Sequence, residues 1–420
     1  MRALLEESFR AAVAAADPAR ILAPALPAPP RGRTFVAAVG KAAASMAAAL
    51  EAAWPADAPL EGIALTRYRH ARPTQRIRVI EAGHPVPDAA GETAAREILA
   101  ATQALGRDDL LIALVSGGGS SLLSLPVEGV SMADLMMLTT QLLRSGAPIQ
   151  DINTVRKHLS LIQGGRLAAA CRAPVRALII SDVTGDEPTH IASGPCAPDP
   201  TTYADALAVL AKFDVAPPPA IGAYLAHGAA GGLPETPKPG SLAHAQNRVI
   251  ATAHRSLEAA AATFRAAGIT PASLGDTVTG EAAEVAKVMA ALVREIRVYR
   301  APFAPPVALI SGGECTVTIG GNGGRGGRCA EFLLALAAAL EGVDAVHAIA
   351  ADTDGIDGSE DNAGAVLTPT TLARARAQGL DAARSLALHD SYGFFAALGD
   401  LVVTGPTYTN VNDFRAILVG

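Results

Sequence analysis

The chain has 420 residues, half of them apolar, with abundant glycine and few aromatics. That length is more than one core serves well, and the composition suits helices packed closely on sheets, so two α/β domains are expected rather than an all-β sandwich. A formal charge of −6 gives no general attraction to nucleic acid or to anionic lipid, so any anion site has to be built locally.

Taken in chain order, Leu4, Leu5, Phe9 and Val13 recur at helical spacing, and the segment lacks the basic stretch and apolar core of a signal peptide. No apolar run is long enough to span a bilayer, so a soluble protein with no membrane partner is expected. Cys171, Cys196, Cys315 and Cys329 form no C-x-x-C pair, which fits a reduced cytoplasm. Residues 22–30 read as a proline-rich linker.

Strand-like runs then alternate with alanine-rich helical stretches, the α/β signature. Strands are expected at 35–39, 77–80, 110–115 and 175–180, and helices at 41–50, 88–104, 131–144 and 201–212. The pattern breaks at Pro217-Pro218-Pro219, Gly231-Gly232 and 234–239, which places the boundary there: 1–235 and 236–420. A second run follows, with strands at 248–252, 307–311, 315–319, 346–350 and 416–419 and helices at 254–267 and 281–297. The last strand is assignable to either lobe.

The most informative stretch is the buried-strand pattern 110–115 followed by Ser116, Gly117, Gly118, Gly119, Ser120 and Ser121. Such a loop turns backbone N–H groups and hydroxyls toward an anion at the strand's carboxyl end, where α/β sheets bind ligands. Gly40-Lys41 sets a lysine just past a strand at a helix start, without the spacing of a P-loop. Arg156 and Lys157 are adjacent and cannot share a helix face, so one can meet an anion while the other is solvated. His158 reads as structural. Asp182 and Asp186, four apart after a strand, suit a magnesium ion or a helix cap.

In the second lobe, Gly312, Gly313 and Glu314 repeat the strand-to-glycine pattern. Eight of the sixteen residues from 312 to 327 are glycine, more than a hairpin needs. The run holds a G-x-G-x-x-G at Gly321, Gly323 and Gly326, but no acid closes a strand at the dinucleotide distance. Gly323, Gly324 and two arginines leading into a helix with Glu331 better suit a polyphosphate. Asp352, Asp354 and Asp357 lie within six residues, and the glutamate of a calcium loop is missing at 363. That leaves magnesium with nucleotide, or an Asx-rich turn. Asn410 and Asn412 sit in a loop rich in hydrogen-bonding side chains.

Together these segments resemble the glycerate 2-kinases of the MOFRL-containing family, often called hydroxypyruvate reductases in bacteria. The specific matches are SGGGSSLL at 116–123, VRKHLS at 155–160, SDVTGDEP at 181–188, IASGP at 191–195, SGGE at 311–314, GGRGGR at 323–328, DTDGIDG at 352–358 and GPTYTNVND at 405–413. The chain departs from the family at Cys329-Ala330, where Asn-Gln is usual, and at Tyr408, where a small residue is usual.

The resemblance implies two α/β domains, the larger N-terminal one Rossmann-like, with an active-site cleft between them. It implies ATP and Mg2+ as cofactors and D-glycerate as the substrate, phosphorylated to 2-phosphoglycerate. On that basis Lys41 and Arg328 act on the transferring phosphoryl group, Asp186 is placed among the catalytic residues, and Asp182, Asp186, Asp352 and Asp354 are all candidates for base or metal ligand. The 116–121 loop with Arg156 or Lys157 holds the glycerate carboxylate. Gly312, Gly313, Glu314, Gly323, Gly324, Asn410 and Asn412 bind nucleotide, and Asp182, Asp352 and Asp354 bind metal. A monomer or homodimer is expected. The rival readings are an NAD(P)H-dependent hydroxypyruvate reductase and a non-catalytic sugar-phosphate sensor.

Overall fold

The apolar run 110–115 is a strand buried along its whole length, as is Thr34–Val39 beside it. The computed structural model describes residues 1–319, 323–341 and 343–420 and divides into two units, Pro18–Ile250 and Met1–Asp17 with Ala251–Gly420.

The first unit carries β1 (Thr34–Val39), β2 (Leu60–Arg67), β3 (Ile77–Ala82), β4 (Leu110–Val115), β5 (Val175–Ile180) and β6 (Ala245–Ala251). Their spatial order is β3-β2-β1-β4-β5-β6, and β1 pairs in parallel with both β2 and β4. The chain builds outward on one side of β1 and then crosses to the other. The carboxyl ends of β1 and β4 therefore form the switch point where ligand crevices open. Alanines within the strands, such as Ala37, Ala113 and Ala177, belong to the core and let helices pack closely on the sheet. A second core of Leu138, Leu142, Ile152, Val155 and Ile221 holds together the helices Met132–Arg144, Ile149–His158, Tyr203–Lys212 and Pro219–Ala229.

The second unit contains β7 (Thr270–Ser273), β8 (Gly280–Glu281), β9 (Val307–Ser311), β10 (Cys315–Thr316), β11 (Val346–Asp352), β12 (Gly364–Leu367), β13 (Leu401–Val402) and β14 (Asp413–Val419). Its main sheet runs β13-β12-β11-β14-β9-β7, while β8 and β10 form a separate parallel pair. Strand β14 is antiparallel to both β11 and β9, so the last strand belongs to this unit. The helix Arg2–Ala14 packs here too: Leu5, Phe9 and Ala12 share a core with Leu257, Phe264 and Phe414.

Two expectations change. The proline stretch after 213 is not a boundary, because Pro219 opens a helix, and the passage between units falls at Ile250–Ala251. The strand expected at 315–319 is only two residues long. Among the described residues no helix is long and apolar enough to cross a membrane.

Candidate active site

At the β1–β4 switch point the backbone is locked before any side chain is considered. Gly40 has φ +116°, and a Cβ there would lie 2.4 Å from the Ser116 carbonyl oxygen. The Lys41 N–H donates to the Gly117 carbonyl at 2.8 Å, and the Ala42 N–H donates to Ser116 Oγ at 3.1 Å. Ser116 is thus fully buried and spends its hydroxyl on fixing the Lys41 turn. Gly118 (φ +80°) allows a close approach of two basic side chains, since its missing Cβ would be 2.8 Å from His84 Nε2 and 3.3 Å from Lys41 Cγ. The glycines bring backbone, lysine and histidine to one place.

A second loop meets this one. Ala192, Ser193 and Gly194 all have left-handed φ (51°, 57° and 57°), a rare state for the first two. The turn presents Ser193 Oγ at 2.9 Å from Ser120 Oγ, and Ser193 Oγ donates to Asn153 Oδ1 at 3.1 Å. Gln163 Nε2 donates to the carbonyls of Ser120 and Leu123 at 2.8 and 3.0 Å, which fixes the loop from behind. Ser121 Oγ donates to the Gly118 carbonyl at 3.2 Å, and Gly119 packs against Ala192.

The helix Ile149–His158 separates its two adjacent cations. Lys157 is fully buried and donates to Asp199 Oδ1 at 2.8 Å, where neither side chain is exposed. The expectation that Lys157 serves as substrate ligand or solvated partner is therefore corrected: it closes an internal ion pair. Arg156 lines a recess with Ser120, Ser124, Thr139, Ser160 and Gln163. Its Nε donates to Thr139 Oγ1 at 3.4 Å, and no carboxylate pairs with it among the described residues. Burial alone pushes its pKa down to about 10. The side chain is half-buried in that recess. His158 is structural as expected, buried with Nδ1 at 2.8 Å from the Thr154 carbonyl and edge-on to Tyr203.

Asp182 leaves β5 at the same edge of the sheet as Lys41 and Ser116, and Asp186 follows in a turn with φ +56°. Both are half-buried.

In the second unit, Arg328 opens the helix Arg328–Ala339 and is held by three carboxylates. Nε pairs with Asp413 Oδ1 at 2.7 Å, Nη2 with Asp352 Oδ2 at 2.7 Å and Nη1 with Glu314 Oε1 at 3.0 Å. Asp413 and Asp352 are buried, whereas the Glu314 side chain is 53% exposed. The three acids hold the guanidinium charged, well above its ordinary range, despite burial. Asp354 donates its N–H to Asp352 Oδ1 at 3.0 Å and accepts from the Ile356 N–H at 2.9 Å. Asn412 accepts from Thr353 Oγ1 at 2.6 Å, and Asn410 Oδ1 accepts from the Asn412 N–H at 3.3 Å, so the 410–412 loop is laced to the 352–354 turn.

In the glycine-rich run, Gly324 and Gly327 also serve internal packing. A Cβ on Gly324 would meet the Leu388 carbonyl oxygen at 2.7 Å, and one on Gly327 would meet Asp357 Oδ1 at 2.3 Å. These glycines let protein pack on protein. Gly321 and its neighbours Gly320 and Asn322 lie outside the described residues. Asp357 is fully buried and accepts the N–H groups of Cys329 and Ala330 at 2.9 and 2.8 Å, anchoring the helix that carries Arg328. Burial pushes its pKa up to about 7 against those donors. Among the described residues no three His, Cys, Asp or Glu side chains are grouped to hold a metal ion.

Sequence reasoning assigned no role to His84, Asn153, Asp413 or Arg415, and it read Gln163 and Ser193 only as turn residues, Ser193 with the option of adding donors. Ser193 lies within the IASGP motif, but its partners Ser120 and Asn153 are 73 and 40 residues away, and no local spacing announces that.

An α/β protein with a serine–glycine loop at a sheet switch point and a buried arginine–carboxylate cluster is the class that this geometry defines. Residues 4–226 match the model described as a domain of unknown function (DUF4147), and residues 307–413 match the MOFRL family. A glycerate 2-kinase from Pyrococcus horikoshii is 39% identical, over 93% of this chain and 88% of that protein. A protein from Agrobacterium vitis with a provisional hydroxypyruvate reductase name is 52% identical, over 100% of this chain and 94% of its own length. The crystal structure of a Thermotoga maritima glycerate kinase superposes with a TM-score of 0.87 at 37% identity, covering 100% of this chain and 99% of that one. The chain belongs to the MOFRL-containing family that includes these glycerate kinases.

Proposed function

We propose that the protein phosphorylates D-glycerate to 2-phosphoglycerate with Mg-ATP, by in-line transfer of the γ-phosphoryl group. The observation that carries this reading is Arg156, a half-buried cation with no acidic partner among the described residues, which lines a recess with Ser120 of the Ser116–Ser121 loop. The glycerate carboxylate supplies the missing counter-ion, with the loop's N–H and hydroxyl donors around it. Lys41, fixed by the Gly40 turn, is assigned to the transferring phosphoryl group, and Asp186 to the hydroxyl proton.

Such transfer needs positioning and charge neutralisation more than covalent help. Gly312, Gly313, Glu314, Gly323, Gly324, Asn410 and Asn412 are assigned to nucleotide and Arg328 to the phosphoryl oxygens. Magnesium that arrives with a nucleotide needs only one or two carboxylates, so no preformed three-acid cage is required, and Asp352, Asp354 and Asp182 are each assigned as candidate ligands. When bound, the ion would neutralise phosphate charge. Four free, buried cysteines fit a reducing cytoplasm.

The reductase reading has one structural point in its favour, since the strand order of the first sheet is that of dinucleotide-binding folds. Its β1 turn nevertheless reads Val39-Gly40-Lys41-Ala42, without the glycine fingerprint, and β2 ends in Arg67 rather than an acid. In a coupled assay, purified protein with D-glycerate, ATP and magnesium is expected to release ADP and 2-phosphoglycerate. NADPH consumption with hydroxypyruvate, and no ADP release, is the result that overturns this reading.

A further inference from the structure

Arg415 is the largest fully buried side chain in the molecule, on the central strand β14. It stands two residues from Asp413 and so on the same face of the sheet. Its Nη2 donates to Asp413 Oδ2 at 2.7 Å and to Cys315 Sγ at 3.1 Å, its Nη1 donates to the Gly312 carbonyl at 2.9 Å, and its guanidinium lies 5.5 Å from the centre of the Phe332 ring. Asp413 also holds both ends of the neighbouring loop, since its N–H donates to the Gly313 carbonyl at 3.1 Å and its Oδ2 accepts from the Cys315 N–H at 3.4 Å. One carboxylate thus bridges two arginines, with Arg328 on Oδ1 and Arg415 on Oδ2.

We propose that Arg415 is a positioning residue for phosphoryl transfer. It takes up the charge of Asp413, so that Asp413 orients Arg328 without quenching it, and it fixes the Gly312–Glu314 loop in the same stroke. The inference rests on the phosphotransfer reading and on Arg328 acting there. Facing three carboxylates alone, Arg328 would carry an excess of negative charge around it and repel a phosphate. With Asp413 neutralised from behind by a second buried arginine, its effective partners are Asp352 and Glu314. Of these, Glu314 is the exposed one, on Nη1, and exposed ion pairs are weak and exchangeable. The Nη1 edge is then the position a phosphoryl oxygen takes. A guanidinium is needed at 415 because three acceptors lie around one planar fork, which a lysine ammonium on a flexible stem does not match.

The test is Arg415→Lys in the full-length chain, with steady-state kinetics for D-glycerate and ATP and a melting curve. The expected result is a folded variant with kcat lowered at least tenfold, KM for ATP raised, and KM for D-glycerate within twofold of the parent. A folded Arg415→Lys with kcat within twofold of the parent overturns the inference. So does a variant whose kcat and glycerate KM deteriorate together, since that is general structural damage. If Arg415→Lys does not fold, Asp413→Asn, which keeps shape and removes the bridging charge, is judged by the same numbers. A parent protein that makes no phosphoglycerate sinks the phosphotransfer reading itself and this inference with it, whereas an Arg328→Ala variant with full turnover leaves that reading standing and overturns this inference alone.

Discussion

Two neighbouring residues, Arg156 and Lys157, separate recognition from stability. Lys157 and Asp199 form a buried pair at 2.8 Å, so Lys157→Met leaves an uncompensated carboxylate inside the protein. Breaking such a pair costs about 3–5 kcal/mol, and the expected outcome is a clear fall in the denaturant midpoint. Arg156→Ala removes a cation with no acidic partner among the described residues, so its melting temperature is expected to stay near that of the parent. Losing a charge-assisted contact to the glycerate carboxylate is worth about 1.5–3 kcal/mol, which raises KM for glycerate by roughly 10–100-fold. An Arg156→Ala protein with unchanged KM removes it from the substrate site. The sequence showed that the two cations must diverge. It could not show which one turned inward, because Asp199 is 42 residues away.

At the scale of an element, the helix Arg328–Ala339 is anchored by Asp357, whose carboxylate binds the first-turn N–H groups. Burial raises its pKa from 3.8 to about 7, so between those values the folded state holds a proton that the unfolded state has lost. This group's contribution is therefore fully present below about pH 4 and is lost as pH rises through about 7, by at most about 1.4 kcal/mol per pH unit. Asp357→Asn is expected to flatten the dependence of melting temperature on pH between 5 and 8. An unchanged slope assigns the titration to another group. Single elements were legible wherever a strand was buried on both faces, as at 110–115, 175–180 and 307–311. The helix Pro219–Ala229 was not, because three prolines read as a breaker although the last one occupies the first helical turn, where its missing N–H loses nothing. Strand β2 was also missed. Gly62 interrupts its apolar pattern where a Cβ would lie 2.5 Å from the Val36 carbonyl oxygen.

For the whole molecule, the assignments divide between the two units, and hydrogen exchange separates them. D-Glycerate alone is expected to protect amides in 116–121, 153–163 and 190–194, all in Pro18–Ile250. Mg-ADP alone is expected to protect 312–319 and 352–358, in the other unit. Reversed protection overturns the assignment of acid and nucleotide to their clusters. The α/β class and most strands could be read from local patterns, but the division into units could not. It depends on the helix Arg2–Ala14 joining residues beyond 251, a contact that amphipathic spacing foretells without naming its partner.

That helix has a consequence during synthesis. Leu5 and Phe9 are translated before the unit Pro18–Ile250, yet Leu257 and Phe414, which bury them, come only after that unit is complete. At about 5–20 residues per second, an oily stripe stays wet for roughly 20–80 seconds before the surface that buries it exists. Nascent chains of this protein should therefore recruit holding chaperones at this helix, even after the domain behind it has already folded.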